Sequence, residues 1–265
     1  MDYVIIGGDA RMASLAEQLR RSSRTARHAT GVEPDLEGIV AGARSVVVNN
    51  PPKCAKGVKL GLEDVLRWAR PDARVFLCGP KPAEDLGDAR IADLWRDEAL
   101  LADNAYLTAE GALASAMRAG RRSLRDETCL IVGWGRIGRA LAGLMIALSA
   151  RVGVVSRTQP HRREAEALGA RAFAPEDMPK ALAEAGLVFS TPPAMVLDAK
   201  TLESARPDAM VVDLASPPYG VDLHAAWARG LRAWREPGLP GRYCPESAAR
   251  ALLRAITRRE ARNNA

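Results

Sequence analysis

The chain has 265 residues, 48% of them hydrophobic, and 38 basic against 32 acidic side chains give it a net charge of +6. That length suits one or two domains, the composition excludes a disordered or fibrous chain, and no apolar run nears the roughly 20 residues of a membrane span. The basic residues are spread along the chain with few aromatic side chains among them, which discounts a nucleic-acid binder, and a modestly basic enzyme with anionic ligands fits the charge equally well. The four cysteines (Cys54, Cys78, Cys129, Cys244) and three histidines (His28, His161, His224) are scattered, so neither a disulfide framework nor a metal site is expected. Cys78 and Cys129 stand in apolar runs and read as core thiols.

From the start, Tyr3–Ile6 predicts a strand entering the turn Gly7-Gly8-Asp9; lacking a basic leader, this opening does not read as a signal peptide, and the cytoplasm is the expected compartment. Ser45–Val48 and Arg74–Cys78 predict further strands, with helices over Ala13–Arg21, Gly57–Ala69 and Ile91–Leu101. This alternation predicts a small α/β domain over residues 1–103 with a mainly parallel sheet. The turns after the strands (Gly7-Gly8-Asp9, Asn49-Asn50-Pro51-Pro52, Gly79-Pro80) are candidate ligand contacts, since open α/β sheets bind at their carboxyl ends. Turn geometry alone would also call for such residues. Only six of the 38 basic residues are lysine, and Lys53, Lys56, Lys59 and Lys81 fall in one stretch. That cluster is either a solvated face or a positive field beside an acidic substrate.

Residues 104–125 predict a bridge, with the domain junction near Asn104, Thr108-Ala109-Glu110-Gly111 ahead of a helix at Ala112–Arg118, and Arg121-Arg122 near its end. Beyond it, strand Cys129–Val132, a glycine turn, helix Ile137–Leu148 and strand Arg151–Val155 follow the Rossmann order, with a helix at Arg163–Leu168. Later strands are read at Leu187–Ser190, Met210–Leu214 and Leu231–Trp234. The last helix, read at Pro245–Ile256 and extended to residues 243–262 as an element, is expected to return to the first domain, leaving 104–242 as the dinucleotide-binding domain.

The run Gly133-Trp-Gly135-Arg136-Ile137-Gly138 is a G-x-G-x-x-G motif between a strand and a helix, the context that gives it meaning. Gly133 would permit the tight turn, Gly135 the approach of a pyrophosphate, and Gly138 close helix–strand packing, with the N–H groups at Arg136 and Ile137 opening the helix toward the anion. An NAD site usually ends the next strand in a carboxylate; this one ends in Ser156-Arg157-Thr158, which favours the 2′-phosphate of NADP. Thr191 and Pro192, and Ala215 and Ser216, follow later strands and are read as further cofactor contacts.

Several runs resemble the dipicolinate synthase A-subunit family: Ile5-Ile-Gly-Gly-Asp9-Ala-Arg11, Asn104-Ala-Tyr-Leu-Thr108-Ala-Glu110-Gly111, the glycine motif, Asp213-Leu-Ala-Ser216 and Pro237-Gly-Leu-Pro-Gly241. One departure stands out: the family tends to follow the Ala-Ser turn with Pro-Gly-Gly, where this chain has Pro218-Tyr219-Gly220. The resemblance implies two α/β domains with parallel sheets, a flavodoxin-like or Rossmann-like one followed by an NAD(P)-binding Rossmann domain. It also implies NADP-linked oxidation of dihydrodipicolinate, derived from 4-hydroxy-tetrahydrodipicolinate, to dipicolinate during sporulation. The implied partners are a small dicarboxylate substrate, the flavoprotein-like B-subunit of dipicolinate synthase and further copies of the chain in a homo-oligomer, and the implied place is the mother cell of a spore-forming bacterium. Two substrate carboxylates need cationic or N–H partners; Arg11, Lys53 and Lys56, with Asn104 and Thr108, are the expected contacts. Glu110 or Asp9 is the expected proton acceptor. Two alternatives stay open: another two-domain NADP dehydrogenase of the 2-hydroxyacid or shikimate type, and an NADP-holding protein that does no chemistry.

Overall fold

The computed structural model describes residues 1–49, 52–79 and 87–263. The chain divides into two compact units, one made of Met1–Asn104 with Pro240–Ala265, the other of Ala105–Leu239. The first unit runs β1 (Tyr3–Ile6), α1 (Ala10–Arg21), β2 (Ala26–Ala29), α2 (Leu36–Ala41), β3 (Ser45–Asn49), α3 (Leu62–Trp68), β4 (Arg74–Cys78) and β5 (Ile91–Asp93). Its described strands form one five-stranded sheet in the order β2-β1-β3-β4-β5, every pairing parallel. This is the flavodoxin-like order, whose switch point lies between β1 and β3. Both faces are covered, as a parallel sheet requires. Tyr3, Ile5, Val47 and Phe76 face one core, and Val4, Ile6, Val46, Val48, Val75 and Leu77 the other.

Helix α4 (Glu98–Ala119) carries the chain into the second unit. There follow β6 (Thr128–Val132), α5 (Arg136–Ala147), β7 (Arg151–Val155), α6 (Gln159–Ala167), β8 (Arg171–Phe173), α7 (Met178–Glu184) and β9 (Leu187–Ser190). The unit continues through α8 (Ala199–Leu202), β10 (Met210–Asp213), α9 (Leu223–Ala228) and β11 (Arg232–Arg235). The six strands are ordered β11-β10-β9-β6-β7-β8, all parallel, which is the Rossmann order with its switch point between β6 and β9. The two-domain parallel α/β fold expected from the sequence is borne out.

Helices α10 (Leu239–Tyr243) and α11 (Pro245–Asn263) close the chain. Ala249, Leu252, Ala255 and Ile256 of α11 share a core with Met12, Leu15 and Leu19 of α1. Polar contacts fix the same helix: Arg258 Nε and Nη2 donate to Asp97 at 2.8 and 2.7 Å, and Gln18 Nε2 donates to the Glu246 carbonyl at 2.8 Å. The Tyr3 hydroxyl donates to Glu260 and accepts from Arg24 Nη1.

Several local expectations are corrected. Ile91–Leu101 is not one helix: Ile91–Asp93 pairs with β4, Leu94–Arg96 is a 3-10 turn whose Trp95 N–H is capped by Asp93, and α4 starts at Glu98. Gly57–Ala69 shrinks to α3, because Gly57 sits at φ 90°, and the Gly61 N–H is held by Asp64 at the helix start. Thr108–Gly111 does not precede a helix; it lies inside α4, whose buried Ala105, Ala109, Ala112, Leu113 and Ala116 recur at helical spacing. Asn50, Pro51, Pro80 and Lys81, which belong to the expected turns and lysine cluster, lie outside the described residues.

Candidate functional site

At the switch point of the second sheet, Gly133 follows β6 at φ 100°, a left-handed conformation that glycine adopts without cost. A Cβ there would fall 2.4 Å from Thr191 Oγ1 and 3.1 Å from Pro192 Cγ, so the turns after β6 and β9 are in close contact. Thr191 seals that contact, its N–H and hydroxyl both donating to the Val132 carbonyl at 3.0 and 2.9 Å. Gly138 is equally constrained, since a Cβ would stand 2.3 Å from the Gly133 carbonyl oxygen. Gly135 differs. It caps α5 in ordinary extended backbone, and among the described residues nothing beyond its own chain neighbours lies within 4 Å of where its Cβ would be. Neither conformation nor internal packing explains this glycine, whereas a ligand approaching the backbone does. The N-terminal end of α5, with no acidic side chain in its first turn, carries the positive end of the helix dipole and suits an anion there.

Beside this turn lies a cavity of about 650 Å³. Gly133, Gly135, Ser156, Arg157, Thr158, Thr191 and Pro192, all expected from the sequence, line it. Trp134, His161, Pro175, Met178 and Val196 also line it and were not anticipated. Trp134 stands inside the glycine motif at one of its variable positions; the others come from separate elements, and no local motif marks them. Arg136, Ile137, Gly138, Ala215 and Ser216 do not line this cavity, although Arg136 opens α5. Among the described residues, no aspartate or glutamate lines it. The lining therefore suits a dinucleotide, with a bare glycine at the start of α5 for the pyrophosphate and a cation with two hydroxyls at the end of β7.

Ala215 and Ser216 belong to a loop held by Asp213, which is buried at the end of β10. Its carboxylate accepts from the N–H groups of Ala215 at 3.1 Å, Gly220 at 3.1 Å and Val221 at 3.2 Å. Arg235 reaches the same carboxylate at 3.6 Å and places its guanidinium 3.9 Å from the Tyr219 ring centre. Tyr219 has φ 71°, a left-handed conformation that glycine adopts more easily. Its ring compensates by stacking under Arg235.

In the first unit, the residues after β1 and β3 meet at that sheet's switch point. The Gly8 N–H donates to the Lys53 carbonyl at 2.7 Å, and a Cβ on Gly7 would strike that same carbonyl oxygen at 2.4 Å. Asp9 caps α1 through the Arg11 N–H and binds the Arg11 side chain through Nε and Nη2, both at 2.8 Å. Burial pushes the Asp9 carboxyl up, but the hydrogen bonds and charge of Arg11, helped by Lys53, outweigh it and hold the group below the usual carboxylate range. Asp9 thus braces Arg11, and a carboxyl held this way is a weaker base than an ordinary one. Arg11 keeps its Nη1 edge out of that pairing. Gly241 of α10 closes on the same group: a Cβ there would meet the Asp9 carboxylate at 2.4 Å. Lys53 and Lys56 are exposed, and only the charge of Lys53 is felt at Asp9.

Asn104, Thr108 and Glu110 all lie on α4. Asn104 and Thr108 are four apart and share a face, whereas Glu110, two residues on from Thr108, points about 200° away. The helix therefore does not gather the three into one cluster. Cys78 and Cys129 are buried, and desolvation pushes each thiol up to about 12.

Comparison with known proteins follows the same lines. The family model of the D-isomer specific 2-hydroxyacid dehydrogenase NAD binding domain matches residues 99–217. The dipicolinate synthase A-subunit of Bacillus subtilis (strain 168) is 27% identical over 169 residues, which cover 64% of this chain and 57% of that protein's length. The crystal structure of the dipicolinate synthase A-subunit from Bacillus halodurans superposes with a TM-score of 0.80 at 22% identity, over 97% of this chain and 96% of the other. A transhydrogenase structure from Sinorhizobium meliloti gives a TM-score of 0.66 at 16% identity, over 97% and 94%. Residues 99–217 are thus a nicotinamide-dinucleotide domain of the dehydrogenase kind, and the chain resembles the dipicolinate synthase A-subunit in both sequence and fold.

Proposed function

We propose that this oxidoreductase uses NADP to oxidise dihydrodipicolinate, formed from 4-hydroxy-tetrahydrodipicolinate by loss of water, to dipicolinate. The observation that carries the cofactor half is the bare Gly135 beside a cavity without carboxylates, where Ser156, Arg157 and Thr158 end β7. Dipicolinate as product rests on the likeness to the dipicolinate synthase A-subunit. So do the flavoprotein-like B-subunit as partner, assembly into a homo-oligomer and a place in the mother cell of a sporulating bacterium.

When bound, the nicotinamide accepts a hydride; the substrate also releases one proton, and its ring becomes aromatic, which supplies much of the driving force. The protein's share is orientation and charge. Arg11, braced by Asp9, and Lys53 receive the substrate carboxylates, with Lys56 and Asn104 as further polar contacts. Thr191 and Pro192 on the cavity wall, and Ala215 and Ser216 beyond it, would contact the nicotinamide half of the cofactor.

Reduced nicotinamide absorbs in the near ultraviolet, so mixing the chain, NADP and fresh substrate, with and without the B-subunit, tests the reaction directly. Arg11→Ala and Lys53→Ala should each raise KM about tenfold, the worth of a charge-assisted hydrogen bond, while the Kd for NADP stays put. Unchanged KM in both variants rejects the substrate assignment. Absence of reduced nicotinamide under every condition rejects the reaction.

A further inference from the structure

Four basic side chains follow β7 in quick succession: Arg157, His161, Arg162 and Arg163. The structure separates their duties. Arg162 Nη1 donates to the Ser156 carbonyl at 2.8 Å and the Arg157 carbonyl at 3.1 Å, so it fixes the backbone at the strand end. Arg163 is exposed and does not line the cavity. Glu164, the nearest acid on α6, is engaged elsewhere, accepting from Trp134 Nε1 at 2.9 Å and Arg139 Nη2 at 2.7 Å. Arg157 and His161 remain as the two basic groups on the cavity wall, next to Ser156 and Thr158. Helix α6 carries no acid in its first turn, and Thr158 makes no side-chain bond to cap it.

We infer that His161 is the second basic ligand of a ribose 2′-phosphate, reaching it from the first turn of α6 while Arg157 reaches it from the end of β7. This assignment rests on the NADP reading above and deepens it by naming the residue that sets the preference. Imidazole presents an N–H donor to a phosphate oxygen whether neutral or charged. The two groups stand on separate elements, so together they grip the phosphate from two sides and leave an unphosphorylated ribose without a matching partner for either.

Calorimetry with adenosine 2′,5′-bisphosphate and with 5′-AMP tests this on the full chain without any turnover. The bisphosphate should bind the unaltered protein at least about tenfold tighter than 5′-AMP. His161→Ala should weaken the bisphosphate by about tenfold, the worth of one charge-assisted hydrogen bond, and leave 5′-AMP unchanged; Arg157→Ala should do likewise. His161→Gln, which keeps an N–H donor, should recover part of the loss. If the unaltered protein holds both ligands equally, the NADP reading falls. If it prefers the bisphosphate and His161→Ala leaves that ratio intact, whether by affecting neither ligand or both alike, the NADP reading stands and the role of His161 is overturned.

Discussion

Gly135 and Gly138 sit three residues apart in one motif, yet the structure demands them for opposite reasons. A side chain at 138 would press on the Gly133 carbonyl, while a side chain at 135 would meet only open space. Gly138→Ala should therefore destabilise the folded protein by about 1–3 kcal/mol, the usual range for overpacking, visible as a lower Tm without any ligand. Gly135→Ala should leave Tm unchanged and weaken binding of the dinucleotide, because its methyl would occupy ligand space. Equal Tm losses in the two variants would show that Gly135 is a structural glycine after all. The pair separates folding from binding within a single turn.

At the scale of elements, α11 is the clearest structural dependency. Leu252 is buried against the α1 face of the first sheet, so Leu252→Ala should cost about 2–5 kcal/mol, measurable as a shift of the urea midpoint. A loss below about 1 kcal/mol, within the range of ordinary surface substitutions, would mean that α11 contributes little to that core. The same scale explains what could be read from the residues. Strands β1, β3, β4, β6, β7 and β9 are buried on both faces, so they appear as short apolar runs with turn residues beyond them. Strands β2, Ala-Arg-His-Ala, and β8, Arg-Ala-Phe, flank β1 and β7 at the sheet edges, and their mixed polarity hid them. The glycine turn was legible because its chemistry is contiguous. His161, Pro175 and Met178 were not, because they converge only once α6 and α7 are placed.

At the scale of the whole molecule, acid should act through carboxylates that arginines hold ionised. Arg258 hydrogen bonds, with smaller backbone and charge contributions, outweigh burial and keep the Asp97 carboxyl below its usual range. A depressed folded value means that this contribution is complete above the unfolded aspartate value of about 3.9 and is lost as pH falls through the lower, folded one. Stability should thus stay level from neutral pH down to about 5 and fall away below about 4. In Arg258→Ala the neutral plateau should drop and the acid limb flatten, as read by urea midpoints across pH. An acid limb identical to that of the unaltered protein would assign the loss to other carboxylates.

The sequence path of the first unit carries a consequence for biosynthesis. Residues 105–239 form their own compact unit, and they leave the ribosome before Pro240–Ala265, which the first unit needs to complete its core. Until that last stretch emerges, Leu15 and Leu19 on α1 lack the apolar cover that α11 provides. The inserted unit is therefore complete while the unit around it still waits for its final helix. That interval is when nascent chains are most exposed to aggregation and to capture by chaperones.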